Sequence, residues 1–240
     1  MKNNIIAFIP ARSGSKRIPN KNIKDFFGYP LIVYTIQSAK DSGIFDEIIV
    51  SSDDFYTGSI AVYQGVGYID RPREYATDIS PDIDWIKHAI GKLKEVNKEY
   101  DYFAILRPTN PFRSRETIKK GYDLFLSKKC GSVRAVERVK QHPYKMWRIY
   151  PSGKLVGLLG EPRMPEAYDK PTQTLPTIYV QNGCLQISKI NGLKQNSVSE
   201  WPIYPLIIDN YEGFDINTPE DWILAEELVK RGLIKLPEIK

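Results

Sequence analysis

Residues 4–22, NIIAFIPARSGSKRIPNKN, contain the most informative pattern in the chain. Residues 4–9 are almost entirely apolar and predict a buried β-strand. The loop that follows combines cations, small residues and prolines, namely Arg12, Lys16, Arg17, Lys21, Ser13, Gly14, Ser15, Pro10 and Pro19. In a parallel α/β sheet, the loop after the carboxyl end of a strand lines the ligand crevice. The stretch therefore predicts a phosphate site on an α/β fold, with a solvated basic turn as the alternative.

Strand-like and helix-like segments alternate beyond this loop. Apolar periodicity predicts helices over 31–42, 82–97 and 114–126, and strands over 47–51 and 102–106. Further strands are expected over 177–188 and 203–208, and a last helix over 219–231. Thr218 before Pro219, with Asp221 in the first turn, is a typical helix start. Such alternation predicts a parallel sheet covered by helices.

Proline-rich, tyrosine-bearing sequence interrupts this alternation after Val139. It has no helical periodicity, and prolines recur through it. We therefore expect an inserted β-rich arm over residues 140–176, flanked by a core of 1–139 and 177–240.

Composition restricts the class of protein. The chain has 240 residues, of which 42% are hydrophobic, enough for one substantial core. No apolar run is long enough to span a membrane, so we expect a soluble, cytoplasmic protein. Cys130 and Cys184 form no CxxC pair and are expected to be reduced, buried thiols. The net charge of +5 suits nucleic acid, an anionic membrane or small anionic substrates.

The arrangement of the basic residues narrows these options. The loop has neither the GxxxxGK[ST] nor the GxGxxG spacing, which implies a different nucleotide fold. A nucleic-acid-binding module predicts cations interleaved with aromatic residues over a broad surface. Here the cations cluster instead in one loop that contains glycine and serine. We therefore favour a small anionic substrate, with no nucleic acid or membrane as partner.

The segment IPARSGSKRIPNKN at 9–22 resembles the signature of the acylneuraminate (sialic acid) cytidylyltransferase family. Similar segments follow in the family's order, namely FDEIIVSSDD (45–54), RPREYATD (71–78), LRPTNPFR (106–113), YVQNG (179–183) and FDINTPED (214–221). The resemblance implies a Rossmann-like, three-layer nucleotidyltransferase fold of the glycosyltransferase A type with a mainly parallel sheet. It also implies that the inserted arm packs against a second subunit in a homodimer.

The resemblance further implies how CTP is bound. Arg12, Lys16 and Lys21 would contact the phosphates and act in catalysis by neutralising charge. The nucleotide contacts would come from Ala11, Arg12, Ser15, Asn22, Arg71 and Asp82. Asp215 and Asn217, two apart on an extended segment, would bind Mg²⁺. Asp82 departs from the family, whose members usually have Ser or Thr there; its carboxylate would accept from the cytosine amino group.

The acceptor side departs further from the family. The resemblance implies sugar contacts from Arg107, Lys145, Tyr179, Gln181 and Asn182, but sialic acid synthetases usually have Gln at the Arg107 position. An arginine expected near residues 172–176 is absent, and Arg163 is a candidate substitute. The implied reaction couples CTP to a nonulosonic (sialic-acid-like) sugar acid and releases pyrophosphate. The alternative within this fold is another acid, such as an octulosonic acid or a phosphonate, which would account for Arg107.

Overall fold

A computed structural model describes residues 4–159 and 166–240. The first half contains β1 (Ile5–Pro10), β2 (Asp25–Phe26), β3 (Tyr29–Pro30), α1 (Leu31–Ser42), β4 (Glu47–Ser52), α2 (Phe55–Tyr63), β5 (Gly67–Asp70), α3 (Asp82–Glu95) and β6 (Tyr102–Ile105). The second half contains α4 (Arg115–Lys128), β7 (Ser132–Arg138), β8 (Trp147–Ile149), β9 (Leu155–Gly157), β10 (Tyr179–Lys189), β11 (Ile203–Ile207) and α5 (Pro219–Lys230).

One seven-stranded sheet organises the chain, in the order β11-β7-β10-β6-β1-β4-β5. β1 pairs in parallel with β4 and β6, β4 with β5, and β7 with β11. β10 is antiparallel to both of its neighbours, β6 and β7. The expected mainly parallel sheet is therefore confirmed. Because β10 runs the other way, its amino end lies at the edge where the parallel strands have their carboxyl ends.

Helices cover both faces of this sheet. Apolar residues of α1, α2 and α4 form one core with the sheet. Those of α3, including Trp85 and Ile86, form a second core on the opposite face. A third cluster joins α5 to α1 and β2 through Trp222, Tyr34 and Phe26. This arrangement confirms the expected three-layer architecture.

Most predicted elements agree with the structure to within one or two residues. The helix predicted over 31–42 has those bounds, and the final helix ends at Lys230. The sequence pattern gave no prediction of α2, β5 or β7. β7 was missed because Arg134 and Glu137 interrupt its apolar residues. Cys130 and Cys184 are free and buried, as expected.

The proline-rich segment contains β8 and β9, which form a separate two-stranded antiparallel sheet. Tyr144, Ala167 and Leu175 form a small apolar cluster beside it. Arg163, the candidate substitute for the missing arginine, lies outside the described residues. In the part of the chain that is described, no helix combines the length and the apolar character needed to cross a membrane.

Candidate active site

The site lies where the loops leave the carboxyl ends of the parallel strands. The basic loop follows β1, the segment with Arg71 follows β5, and the Arg107 loop follows β6. Gln181 and Asn182 reach the same edge from the amino-terminal part of antiparallel β10. The topology thus gathers segments that are far apart in sequence around a cavity of about 380 Å³.

Uncharged groups form one set of the bonds that hold the basic loop in place. The backbone N–H of Ala11 donates to the Ser51 carbonyl at 2.9 Å; Ala11 is fully buried and is not among the residues that line the cavity. The N–H and hydroxyl of Ser13 both donate to Asp53, at 2.8 and 2.6 Å. The Asn22 amide donates to the Arg12 carbonyl at 3.1 Å. These bonds fix the loop without engaging its cationic groups.

Positive charge predominates in the cavity lining. Six cationic side chains line it, namely Arg12, Lys16, Arg17, Lys21, Arg71 and Arg107, together with three carboxylates, Asp78, Asp82 and Asp215. The predicted nucleotide contacts Ser15 and Asn22 lie in the same lining. The cations converge on a concave space, which suits a small, highly charged anion better than an extended polymer.

Asp78 binds two cations of the loop. Arg12 Nη1 lies 2.7 Å from Asp78 Oδ1, and Lys16 Nζ lies 2.5 Å from Oδ2. Hydrogen bonds from Lys16 and then Arg12 hold the pKa of this carboxyl below its ordinary value. A carboxylate therefore occupies the position at which these cations would bind phosphate oxygens.

Lys21 reaches the segment predicted to bind metal. Its Nζ donates to the Ile216 carbonyl at 2.6 Å and to Asn217 Oδ1 at 3.2 Å. Burial lowers the pKa of Lys21, and nearby Asp215 partly offsets that effect. The predicted catalytic cation and the predicted metal segment are therefore neighbours.

Asp215 has the features expected of a metal ligand. Its Oδ2 accepts from Asn217 Nδ2 at 2.6 Å. Its Oδ1 is buried and has no hydrogen-bond partner among the described residues. An orphaned carboxylate oxygen beside a basic cavity fits a divalent cation. Asn217 is engaged on both of its amide atoms, so it serves here as a bridge between Lys21 and Asp215.

Arg71 is a buried wall of the cavity. Its Nε and Nη2 donate to the hydroxyl and the carbonyl of Ser51, at 3.0 and 2.7 Å. Its guanidinium lies over the Trp85 ring at 4.8 Å from the centroid. Burial lowers its pKa to about 10, which leaves it positively charged at neutral pH.

Two residues that depart from the family pattern contact each other. Arg107 Nη2 donates to Asp82 Oδ2 in an ion pair. The other carboxylate oxygen of Asp82 accepts from Trp85 Nε1 at 2.9 Å. The fully buried Arg113 donates to the backbone carbonyl of Arg107 at 2.8 Å and so holds the backbone of Arg107 in place. The pair thus joins the predicted nucleotide side of the cavity to the predicted acceptor side.

Two further cavities adjoin the first. One of about 210 Å³ is lined by Arg107, Arg134, Gln181, Asn182 and Asp215, among others. The other, of about 660 Å³, shares Gln181, Asn182 and Asp215 with it. The structure therefore brings three predicted acceptor residues, Arg107, Gln181 and Asn182, next to the basic cavity.

Lys145 and Tyr179 lie elsewhere and line none of these three cavities. Lys145 Nζ donates to the carbonyls of Tyr168 and Lys170, at 2.8 and 2.6 Å, and so ties together two parts of the arm. Tyr179 is 43% exposed at the start of β10. Within one chain, these two predicted acceptor residues are not brought to the site.

Sequence reasoning missed Arg134 and Asp53. Arg134 lies on β7, the strand that was not predicted, and lines the smaller acceptor cavity. Asp53 belongs to the FDEIIVSSDD segment and was assigned no role from the sequence, yet it anchors the basic loop through Ser13. An isolated charge between Val133 and Ala135, both buried, is the one local sign that Arg134 faces a polar site.

Known proteins with similar sequences are named as cytidylyltransferases or as a synthase of a CMP-linked sugar acid. The cytidylyltransferase family model matches residues 6–142. The CMP-N,N'-diacetyllegionaminic acid synthase of Legionella pneumophila is 34% identical over 231 residues, which cover 94% of this chain and 96% of that protein. The N-acylneuraminate cytidylyltransferase of Streptococcus agalactiae is 30% identical over 91% of this chain and 51% of that protein. The pseudaminic acid cytidylyltransferase of Campylobacter jejuni is 41% identical over 52% of this chain and 54% of that protein.

Solved structures share the fold. A CMP:2-keto-3-deoxy-manno-octonic acid synthetase complexed with CTP superimposes with a TM-score of 0.69 over 95% of this chain and 99% of that one. A 4-diphosphocytidyl-2C-methyl-D-erythritol synthase from Anaerococcus prevotii gives a TM-score of 0.63 over 95% and 98%. Both are 15% identical in sequence, so these likenesses concern the fold alone.

Proposed function

The chain belongs to the cytidylyltransferase family, and from that premise we propose that it couples CTP to a nonulosonic, sialic-acid-like sugar acid. The products are a CMP-sugar and pyrophosphate. The relative that matches along nearly the whole chain is named for a CMP-legionaminic acid product, and partial matches are named for sialic and pseudaminic acids. Because CTP is a nucleotide of the cytoplasm, we propose that compartment for the enzyme.

The observation that carries this proposal is the charge of the main cavity. Twice as many cations as carboxylates line it, and four of the six cations belong to the loop after β1. Such an excess suits a triphosphate, because cationic side chains neutralise its negative charge through charge-assisted hydrogen bonds. The adjoining cavities provide room for an acceptor beside the nucleotide.

The proposed reaction is an in-line displacement at the α-phosphorus of CTP. A hydroxyl oxygen of the acid forms the new bond to phosphorus, the bond to the β-phosphate oxygen breaks, and the hydroxyl proton is released to solvent. Arg12, Lys16 and Lys21 would stabilise the charge that develops on the departing pyrophosphate. For this, Arg12 and Lys16 exchange the Asp78 carboxylate for phosphate oxygens.

We also propose Mg²⁺ as cofactor, held by the buried Asp215 carboxylate, with Asn217 as its predicted second ligand. When bound, Mg²⁺ would neutralise phosphate charge and align the displacement. The amide oxygen of Asn217 contacts Lys21 Nζ, so it must exchange that contact to serve as a ligand. Lys21 is then freed to contact phosphate.

We further propose a homodimer formed through the arm. The arm exposes apolar side chains that a monomer would leave in water, namely Trp147, Ile149, Tyr150, Leu155 and Val156. Lys145 and Tyr179 line none of the three site cavities of their own chain. Packing of two arms would bury these apolar side chains, as the family resemblance implies.

The experiment that tests the proposed function is pyrophosphate release with Mg²⁺ and each of the four nucleoside triphosphates. The acceptor panel contains sialic, legionaminic, pseudaminic and octulosonic acids and a phosphonate. We expect turnover with CTP and a nonulosonic acid. Turnover only with an octulosonic acid or a phosphonate would support the second candidate, in which Arg107 at the acceptor cavity would exchange Asp82 for the acid. No turnover with any pair would overturn both.

A further inference from the structure

The smaller acceptor cavity contains a second arginine, Arg134. Arg134 lies in the middle of β7, opposite Gln186 of β10. The cavity shares Arg107 and Asp215 with the basic cavity, and Gln181, Asn182 and Asp215 with the largest cavity. A group bound beside Arg134 would therefore lie between the nucleotide region and the space that can hold the body of an acceptor.

The two arginines of this cavity differ in their partners. Arg107 is paired with the Asp82 carboxylate. Arg134 donates only to uncharged oxygens: Nε and Nη2 donate to Ser199 Oγ at 3.0 and 2.8 Å, and Nη1 donates to Gln181 Oε1. Among the described residues, no carboxylate forms an ion pair with Arg134. The charge of Arg107 is thus compensated inside the protein, whereas that of Arg134 is not.

The hydrogen bonds of Arg134 also leave capacity for a ligand. A guanidinium has five N–H donors, and these contacts engage three of them. Ser199 holds two of its nitrogens at once, which fixes the plane of the group before any ligand binds. A half-buried, oriented guanidinium with free donors is suited to a planar carboxylate.

The charges around Arg134 favour an anionic ligand. Burial lowers its pKa, and Asp82 and Arg107 are the charged groups that act on it, in opposite directions. Because those two groups form an ion pair with each other, their effects on Arg134 largely cancel. An arriving carboxylate would supply the missing negative charge in a partly desolvated space, where attraction is stronger than in water.

From this geometry we propose that Arg134 binds the carboxylate of the acceptor acid and thereby makes the enzyme specific for acids. Arg107 then acts as a positioning residue whose charge is committed to Asp82. The inference rests on the proposed CTP-dependent transfer to an acidic sugar. It assigns the recognition of the acid to a residue of β7 that no sequence motif indicated.

The test compares the best acceptor acid with its carboxamide, in which the negative charge is absent. The wild-type enzyme should show a KM for the acid lower than that for the amide by roughly 10- to 100-fold, as a hydrogen-bonded charge implies. Arg134→Gln should make the two KM values nearly equal and leave the KM for CTP unchanged. If Arg134 had a purely structural role, Arg134→Gln would still discriminate between the acid and the amide.

Two comparison variants separate the alternatives. Arg107→Gln should keep the preference for the acid. Arg231→Gln removes an exposed arginine at the carboxyl end of α5 and controls for the loss of one positive charge. Arg134→Lys keeps the charge but not the two-pronged geometry, so its KM for the acid should rise several-fold. Thermal melting of each variant reports whether it folds.

The outcomes are distinguishable. Wild-type-like discrimination in folded Arg134→Gln would overturn the inference, as would loss of discrimination in Arg107→Gln alone. If Arg134→Gln does not fold, an unchanged KM for the acid in Arg134→Lys would overturn it. If the wild-type enzyme releases no pyrophosphate with CTP and any acid, the proposed function fails first, which is a different result from turnover without a role for Arg134.

Discussion

Lys21 connects the basic loop to the proposed metal segment. Its ammonium group contacts Ile216 and Asn217, and burial lowers its pKa from the ordinary value of 10.5. A lowered pKa means that this cation loses its proton at a less alkaline pH than an exposed lysine does. If the charge is needed for phosphate binding, activity must decline over that range.

We predict that kcat/KM for CTP falls on the alkaline side with the pKa of Lys21, since this parameter reports the free enzyme. Lys21→Arg should shift the decline to higher pH, because a guanidinium stays protonated there. Measurement of pH–rate profiles for pyrophosphate release tests this. Lys92→Arg, on the exposed side of α3, is the matched control and should reproduce the wild-type profile. An unshifted decline in Lys21→Arg would exclude Lys21 as the group responsible.

The Arg107–Asp82 pair gives a second prediction at this scale. The two side chains are 41% and 31% exposed, so solvent screens their attraction. We expect Asp82→Asn and Arg107→Gln each to lower the free energy of unfolding, and the double variant to lose less than the sum. The coupling should be about 0.5–1 kcal/mol. Urea unfolding of the four proteins measures it, and strictly additive losses would contradict the pairing.

At the scale of elements, the start of α5 organises the segment that contains Asp215 and Asn217. Thr218 Oγ1 accepts from the Asp221 N–H at 3.2 Å, and Asp221 Oδ2 accepts from the Thr218 N–H at 2.8 Å. The same carboxylate oxygen accepts from the Asn217 N–H at 2.9 Å. The helix start expected from the sequence is therefore confirmed, and it also fixes the backbone next to Asp215.

We predict that Thr218→Ala lowers the free energy of unfolding by about 1 kcal/mol, since it removes the side-chain cap of α5. Asp221→Asn should raise the Mg²⁺ concentration needed for half-maximal activity, because it weakens the bonds that orient Asn217. Denaturant unfolding and metal titration of pyrophosphate release measure the two effects. Thr218→Ser keeps the hydroxyl and should behave as wild type; equal losses in the Ser and Ala variants would refute the capping explanation.

At the scale of the whole molecule, the exposed apolar surface of the arm requires an explanation. Ile149 of β8 and Leu155 of β9 pair directly across the hairpin and are 76% and 58% exposed. Directly opposed residues of an antiparallel pair point to the same face. The two side chains therefore form a continuous apolar patch, which the proposed dimer would cover.

We predict that the wild-type protein sediments as a dimer of two 27.6 kDa chains. The double variant Ile149→Asp, Leu155→Asp should sediment as a monomer, because burial of two carboxylates opposes association. Val62→Asp, an exposed apolar position on α2, is the control and should leave the dimer intact. Sedimentation velocity distinguishes these cases. A monomeric wild type, or a dimeric arm variant, would exclude the arm as the interface.

The class of fold, the place of the basic loop and the family were all predicted from the amino-acid sequence. Periodicity reports local burial, so α1 was predicted with its bounds. The cations after β1 were predicted to meet at a ligand crevice, and Arg12, Lys16 and Lys21 do line one cavity. These features were accessible because each depends on neighbours in the chain or on the general geometry of parallel sheets.

The construction of the acceptor side, by contrast, depends on contacts between distant segments of the fold. Antiparallel β10 lies between β6 and β7, and this placement brings Arg134 of β7 beside Arg107. Asp82 and Arg107, 25 positions apart, form their ion pair only because α3 and the loop after β6 meet at the same edge. Lys145 is bonded within the arm instead of lining the site. No local pattern specifies such contacts, because they follow from strand order and packing between distant segments.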